Sequence, residues 1–276
     1  MHSRASLLVF LSLVACGTAE RKSGDSAQTS APVQHSLMIM AQEFTFDAPD
    51  TVPAGFTRVG LMNHGTEPHH AVIVRLDSGH VAGELLDALA KHRLPGWAVF
   101  LGGPNASMEG IAETVVELKP GNHVLICIIP SSDGVLHVAK GMVRNLTVKE
   151  TPVATVAPSA DLTITLSDFA FAPSVPLTPG AHVIRVDNSA EQPHELVIVK
   201  LEPGKTIQEF AKWAQKPEGP PPGALMGGTT PQSRGIPNYV VASFPPGEYG
   251  FVCFLPDVKD GKLHLEHGMI SQFKIG

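Results

Sequence analysis

Apolar and polar residues alternate with a period of two along Leu162-Thr-Ile-Thr-Leu166, the pattern of a strand with one buried face. Residues Ala71 to Leu76 and Leu196 to Leu201 are instead continuous apolar runs of strand length. His123 to Ile129 and Tyr249 to Leu255 are strands entered by Pro-Gly turns, and Met142 to Val148 and Met269 to Ile275 close each half of the chain. A helical period appears twice. Thr206-Ile-Gln-Glu209 is a capping box, after which Ile207, Phe210, Ala211 and Ala214 share one face. Val81, Leu85, Leu86 and Leu89 space in the same way. The Pro-rich segment Lys216 to Gly223 and the pairs Gly102-Gly103 and Gly227-Gly228 read as loops. Trp97 and Trp213 are expected to pack under these loops. This pattern predicts an all-β chain of antiparallel sheets packed face to face, with one short helix inserted in each half.

The halves are copies. Thr66-Glu-Pro-His69-His-Ala-Val-Ile-Val-Arg-Leu76 lies over Glu191-Gln-Pro-His194-Glu-Leu-Val-Ile-Val-Lys-Leu201. His69 and His194 are 125 residues apart, Cys127 and Cys253 are 126 apart, and His137/His264 and Met142/Met269 are both 127 apart. So long a period with so little drift means duplicated domains rather than a solenoid. The Pro-, Ala- and Thr-rich stretch 151–160 predicts a linker between a first domain at 36–150 and a second at 161–276.

A length of 276 residues suits two domains. The formal charge of −6 argues against a nucleic-acid partner, which would call for a basic face. At the other end, Arg4 and the apolar run Leu7 to Ala15 form a signal peptide, 1–15, too short to span a bilayer at about 20 residues. The segment 16–35 is polar and reads as a tether.

Singly, each repeated His, Cys and Met has an ordinary structural explanation: a polar residue beside a strand, a small buried hydrophobe, core filling. As a set repeated in order, they point to a metal. Thiolate and thioether are soft ligands, and imidazole suits copper and zinc alike. Zinc and metal-free domains are the competing readings. His267 also lies between Cys253 and Met269, but its counterpart is Lys140, so the repeat selects His264. His70 is likewise unrepeated, facing Glu195.

The order Pro-His, then Cys, His and Met around the last loop, resembles the cupredoxin, or blue copper, family. The resemblance covers both repeats and implies two tandem Greek-key β-sandwich domains. It implies two copper ions, one held by His69, Cys127, His137 and Met142 and the other by His194, Cys253, His264 and Met269. It also implies that His137 and His264 lie near the surface, where electrons pass. One departure is the loop between Cys and the second His, nine residues in the first copy and ten in the second, longer than in small electron carriers of that family. The ending Leu13-Val-Ala-Cys16 resembles a bacterial lipobox, which implies lipidation at Cys16 and a protein tethered in the cell envelope. The function implied is electron transfer with redox partner proteins. The alternatives are a two-domain copper oxidoreductase, of nitrite reductase or multicopper oxidase type, and copper storage or delivery. Oxidases carry His-x-His pairs, and none occurs here.

Overall fold

The computed structural model describes residues 34–91 and 93–276. The expected signal peptide, Cys16 and nearly all of the tether lie outside the described residues. The first repeat contains β1 (His35–Gln42), β2 (Thr45–Asp47), β3 (Thr51–Pro53), β4 (Gly55–Asn63), β5 (His69–His70), β6 (Val72–Leu76) and α1 (Ala82–Leu89). It continues with β7 (Ala98–Gly102), β8 (Asn105–Ala106), β9 (Ile111–Leu118), β10 (Gly121–Ile126) and β11 (Val143–Lys149). The second contains β12 (Leu162–Ser167), β13 (Ala170–Pro173), β14 (Gly180–Asn188), β15 (His194–Leu201) and α2 (Ile207–Gln215). It closes with β16 (Gly223–Gln232), β17 (Asn238–Phe244), β18 (Gly247–Val252) and β19 (Ile270–Ile275). The protein is therefore all-β, with one short helix per repeat, as the patterning predicts.

Two large sheets carry both repeats. One has eight strands in the order β13, β12, β14, β17, β9, β4, β1, β2; the other has nine, β19, β18, β15, β16, β7, β6, β10, β11, β3. The repeats join edge to edge, at Asn238↔Val116 and Tyr239↔Val115 in the first sheet and at Gln232↔Leu101 in the second. The pairs β1–β4, β3–β11 and β12–β14 are parallel. Parallel neighbours cannot be joined by a tight hairpin, so the chain crosses between sheets, which closes each sandwich. Residues 150–161 contain no strand or helix, and the Thr155 hydroxyl accepts the Phe56 N–H at 2.7 Å.

The continuous apolar runs are explained by burial on both faces. Ile73 and Leu125 point into the core between the sheets with Leu37, Ile39, Val59 and Leu61. Their neighbours Val72, Val74, Val124 and Ile126 point the other way, under Leu85 of α1. In the second repeat Leu196 and Ile198 face inward, and Val197 and Val199 lie under Ile207 and Phe210 of α2. Glu209 caps α2 reciprocally with Thr206, at 2.8 and 3.2 Å. In α1 only half the box exists, because Val81 offers no side-chain acceptor; Glu84 reaches back to its N–H at 3.2 Å. Trp213 donates to Gly219 O at 3.2 Å beneath the Pro-rich loop, and Trp97 stacks on His80 with centroids 4.1 Å apart.

The second glycine pair is not a loop, and the first is one only in part, Gly103 lying in the short connection between β7 and β8. Gly102 ends β7, and Gly227-Gly228 lies inside the ten-residue β16, with the pairing register shifting near each pair. The reason is close backbone approach at a bulge. Gly228 has φ +126°, and a Cβ there would sit 1.8 Å from Leu196 O; at Gly103, φ +139°, it would sit 2.1 Å from Ala71 O. No helix among the described residues is long and apolar enough to cross a membrane.

Candidate metal centres

Each centre is assembled where a strand of the nine-stranded sheet ends. His69 opens β5 after Pro68, Cys127 follows β10, and His137 begins a 3-10 turn, His137–Lys140, that Gly141 terminates at φ +109°. The nine-residue loop from Cys127 to His137 folds back on itself through a Pro130↔Leu136 bridge, with Gly134 at φ +78° in its bend. That return brings His137 beside Cys127 despite the loop's length. Three main-chain hydrogen bonds lock the return: Val138 N–H to Cys127 O at 2.8 Å, Met142 N–H to His137 O at 3.0 Å, and Cys127 N–H to Met142 O at 3.2 Å. The second repeat matches it, with a Pro256↔Leu263 bridge and bonds from Leu265 to Cys253 at 3.1 Å, Met269 to His264 at 2.9 Å and Cys253 to Met269 at 3.2 Å.

The result is convergence of three donor atoms in each repeat. His69, Cys127 and His137 present ligand atoms within 4.8 Å of one another, as do His194, Cys253 and His264, and all six residues are buried. In the first centre the two Nδ1 atoms are 3.1 Å apart and Cys127 Sγ is 3.4 Å from His137 Nδ1. In the second the corresponding separations are 2.9 and 3.3 Å. Ligands that each bind one ion at about 2.0–2.3 Å keep separations of this order. Met142 and Met269 are fully buried in the same cores as Cys127 and Cys253, one backbone hydrogen bond from each thiol residue. Both cysteines are free.

The electrostatics suit a cation. Burial, and then the facing His137, depress His69 to about 4; burial, and then His194, depress His264 to about 4. Burial also lowers His194. Neutral imidazoles keep a lone pair for a metal. Burial pushes Cys127 up to about 12 and Cys253 well above the ordinary thiol value. A thiol so placed ionises only beside a strong positive charge, which a bound metal supplies.

Groups that the sequence did not single out surround the rings. Glu67 Oε2 accepts from His137 Nε2 at 2.7 Å, whereas in the second centre Asp168 Oδ1 accepts from His194 Nε2 at 2.7 Å. An acceptor at Nε2 assigns the proton there and turns the Nδ1 lone pair inward. His69 Nε2 and His264 Nε2 are buried without a partner. Burial raises Asp168, but the hydrogen bonds from Gln192 and His194 leave it below the usual carboxylate value. Phe44 and Phe169 pack against His137 and His264 at 5.2 and 5.1 Å. Their spacing of 125 residues was a usable signal.

His137 and His264 are themselves shielded from solvent, 0% and 1% exposed under Phe44 and Phe169, while the 3-10 turns that carry them hold exposed neighbours at Ala139 and Glu266. His267 is drawn away from the second centre: it stacks on Phe169 at 4.6 Å and meets Asp260 at 3.1 Å. His70 contributes its main chain, its N–H donating to Cys127 Sγ at 3.2 Å. Its counterpart Glu195 is buried and accepts from Phe254 N–H at 2.8 Å, with burial raising it to about 7.

No family model matches the sequence, and no curated protein matches it. Among solved structures the chain is similar to an auracyanin from Roseiflexus castenholzii, at 20% identity over 44% of this chain and 99% of that one, with a TM-score of 0.30. It is also similar to a multicopper oxidase, at 14% identity over 88% of each chain and a TM-score of 0.25. A copper nitrite reductase from Nitrosomonas europaea matches at 13% identity over 88% of this chain and 94% of that one, with a TM-score of 0.23.

Proposed function

We propose that this chain is a copper-binding redox protein that carries electrons, with one copper held at each centre. The observation that carries this reading is the convergence, twice, of two buried imidazole Nδ1 atoms and one buried cysteine sulfur. His69, Cys127 and His137 would hold the first ion and His194, Cys253 and His264 the second, with the buried thioethers of Met142 and Met269 as weaker soft donors. Bound copper supplies a one-electron couple; thiolate and thioether favour Cu(I), and imidazole accepts both oxidation states.

The chain's own residues hold the donors still. Glu67 and Asp168 fix one imidazole each, the loop hydrogen bonds fix the Cys–His–Met spacing, and burial excludes water. A centre whose ligands do not rearrange passes an electron with little reorganisation. Partners would be redox proteins, and the protein would sit in the bacterial cell envelope, lipid-anchored through Cys16.

Voltammetry of the copper-loaded protein tests this reading. Reversible one-electron waves, with no consumption of nitrite, or of dioxygen with a phenolic donor, support an electron carrier. Steady turnover of either oxidant would instead make the chain an enzyme.

A further inference from the structure

On the outer face of the eight-stranded sheet, thioethers collect in the first repeat alone. In the parallel pair β1–β4, Met40 stands beside Met62 and Met38 beside Gly60. Across β4, Met62 is paired with Ile111 of β9. Met38, Met40 and Ile111 are exposed by 44, 41 and 65%, and Met62 is half-buried. Met38 leans over Gly60: a Cβ there would lie 2.8 Å from its methyl carbon and 3.0 Å from its sulfur. Met38, Met40 and Met62 thus occupy three corners of one cell of the sheet, and Met38 fills the space that a side chain at the fourth would take. Cross-strand neighbours are about 4.8 Å apart and same-face neighbours along a strand about 7 Å. Unbranched methionine side chains, each with three rotatable bonds, span such gaps.

The duplication provides an internal control. At the equivalent positions the second repeat has Thr163, Thr165, Arg185 and Asp187, with Arg185 and Asp187 in an ion pair at 2.8 Å. The fold therefore does not need an apolar outer face here. Three adjacent, solvent-accessible thioethers are soft donors without charge, a set that selects Cu(I) over Cu(II), zinc and the hard cations.

We propose that Met38, Met40 and Met62 form a surface Cu(I)-binding site. β4 ends at Asn63, and two residues beyond it, at Gly65, a Cβ would lie 2.7 Å from His69 Nε2, so Met62 is three residues along the chain from a wall of the first buried centre. It receives Cu(I) for that centre; this role rests on the copper reading above, whereas the binding itself does not.

The test uses the full chain carrying Cys127→Ser and Cys253→Ser, which removes both buried thiolates, with methyl-labelled methionine and Ag(I) as a redox-inert stand-in for Cu(I). The methyl resonances of Met38, Met40 and Met62 should shift together and saturate, and Met38→Leu/Met40→Leu/Met62→Leu should abolish that binding while the circular dichroism of the fold persists. Shifts confined to Met142 and Met269, or no shifts, overturn the proposal. So do shifts of the three methyls that follow protein concentration without silver, which would mean that a second copy covers the face. Failure of the buried centres to bind copper would leave this result standing, because their thiolates are already absent.

Discussion

Glu67 and His137 meet at 2.7 Å, Oε2 to Nε2, and their counterparts in the second repeat do not. Gln192 occupies the place of Glu67 and instead binds Asp257 at 2.9 Å, while Asp168 takes up the carboxylate role on the other imidazole, His194. Each centre thus has one anchored and one unanchored ring, but the anchored ring differs.

Glu67→Gln should weaken metal binding at the first centre only, and Asp168→Asn at the second only. Loss of the outer partner of a ligating imidazole costs about 10–100-fold in affinity. Titration of each variant against a competing chelator checks this, with the untouched centre as reference.

The glycine pair in β16 gives a stability contrast. Gly227 and Gly228 both have positive φ, but only at Gly228 would a Cβ strike backbone, 1.8 Å from Leu196 O; at Gly227 nothing lies within 4 Å. Gly227→Ala should cost about 1–2 kcal/mol, the penalty of the left-handed region. Gly228→Ala should cost roughly 1–3 kcal/mol more, for the clash. Denaturant midpoints at constant slope measure both.

His123, 1% exposed in β10, is lowered to about 4 by burial, with Arg75 adding to the effect. Between pH 4 and the ordinary imidazole value near 6.5, the unfolded chain binds a proton that the folded chain refuses. Stability therefore falls as pH falls through that window, by on the order of 3 kcal/mol from this group. His123→Phe should flatten the acid-side slope by about that amount in denaturation curves taken from pH 4 to 7.

The ligand positions were legible because the duplication compares the chain with itself: four residues of three types recur in order, and drift is confined to loops. The two-faced burial of Val72 to Leu76 was legible as an unbroken apolar run. Other features depended on contacts distant in sequence. Gly227-Gly228 looked like punctuation, since nothing local says that Leu196 O presses against it. Glu67 and Asp168 escaped notice because they sit at inequivalent places, so the repeat filter that found the ligands hid their anchors. The shielding of His137 and His264 under Phe44 and Phe169 depends on the return of the loop through the Pro130↔Leu136 and Pro256↔Leu263 bridges, which a count of nine or ten intervening residues does not reveal.

Copper content and the visible spectrum of the purified protein, measured alongside Cys127→Ser and Cys253→Ser, test the central claim most directly. The structure leads us to expect two coppers per chain and an intense absorption toward the red end of the spectrum, with each substitution removing about half of both, because each thiolate serves a separate soft site. Copper uptake and colour that survive either substitution unchanged would contradict the assignment.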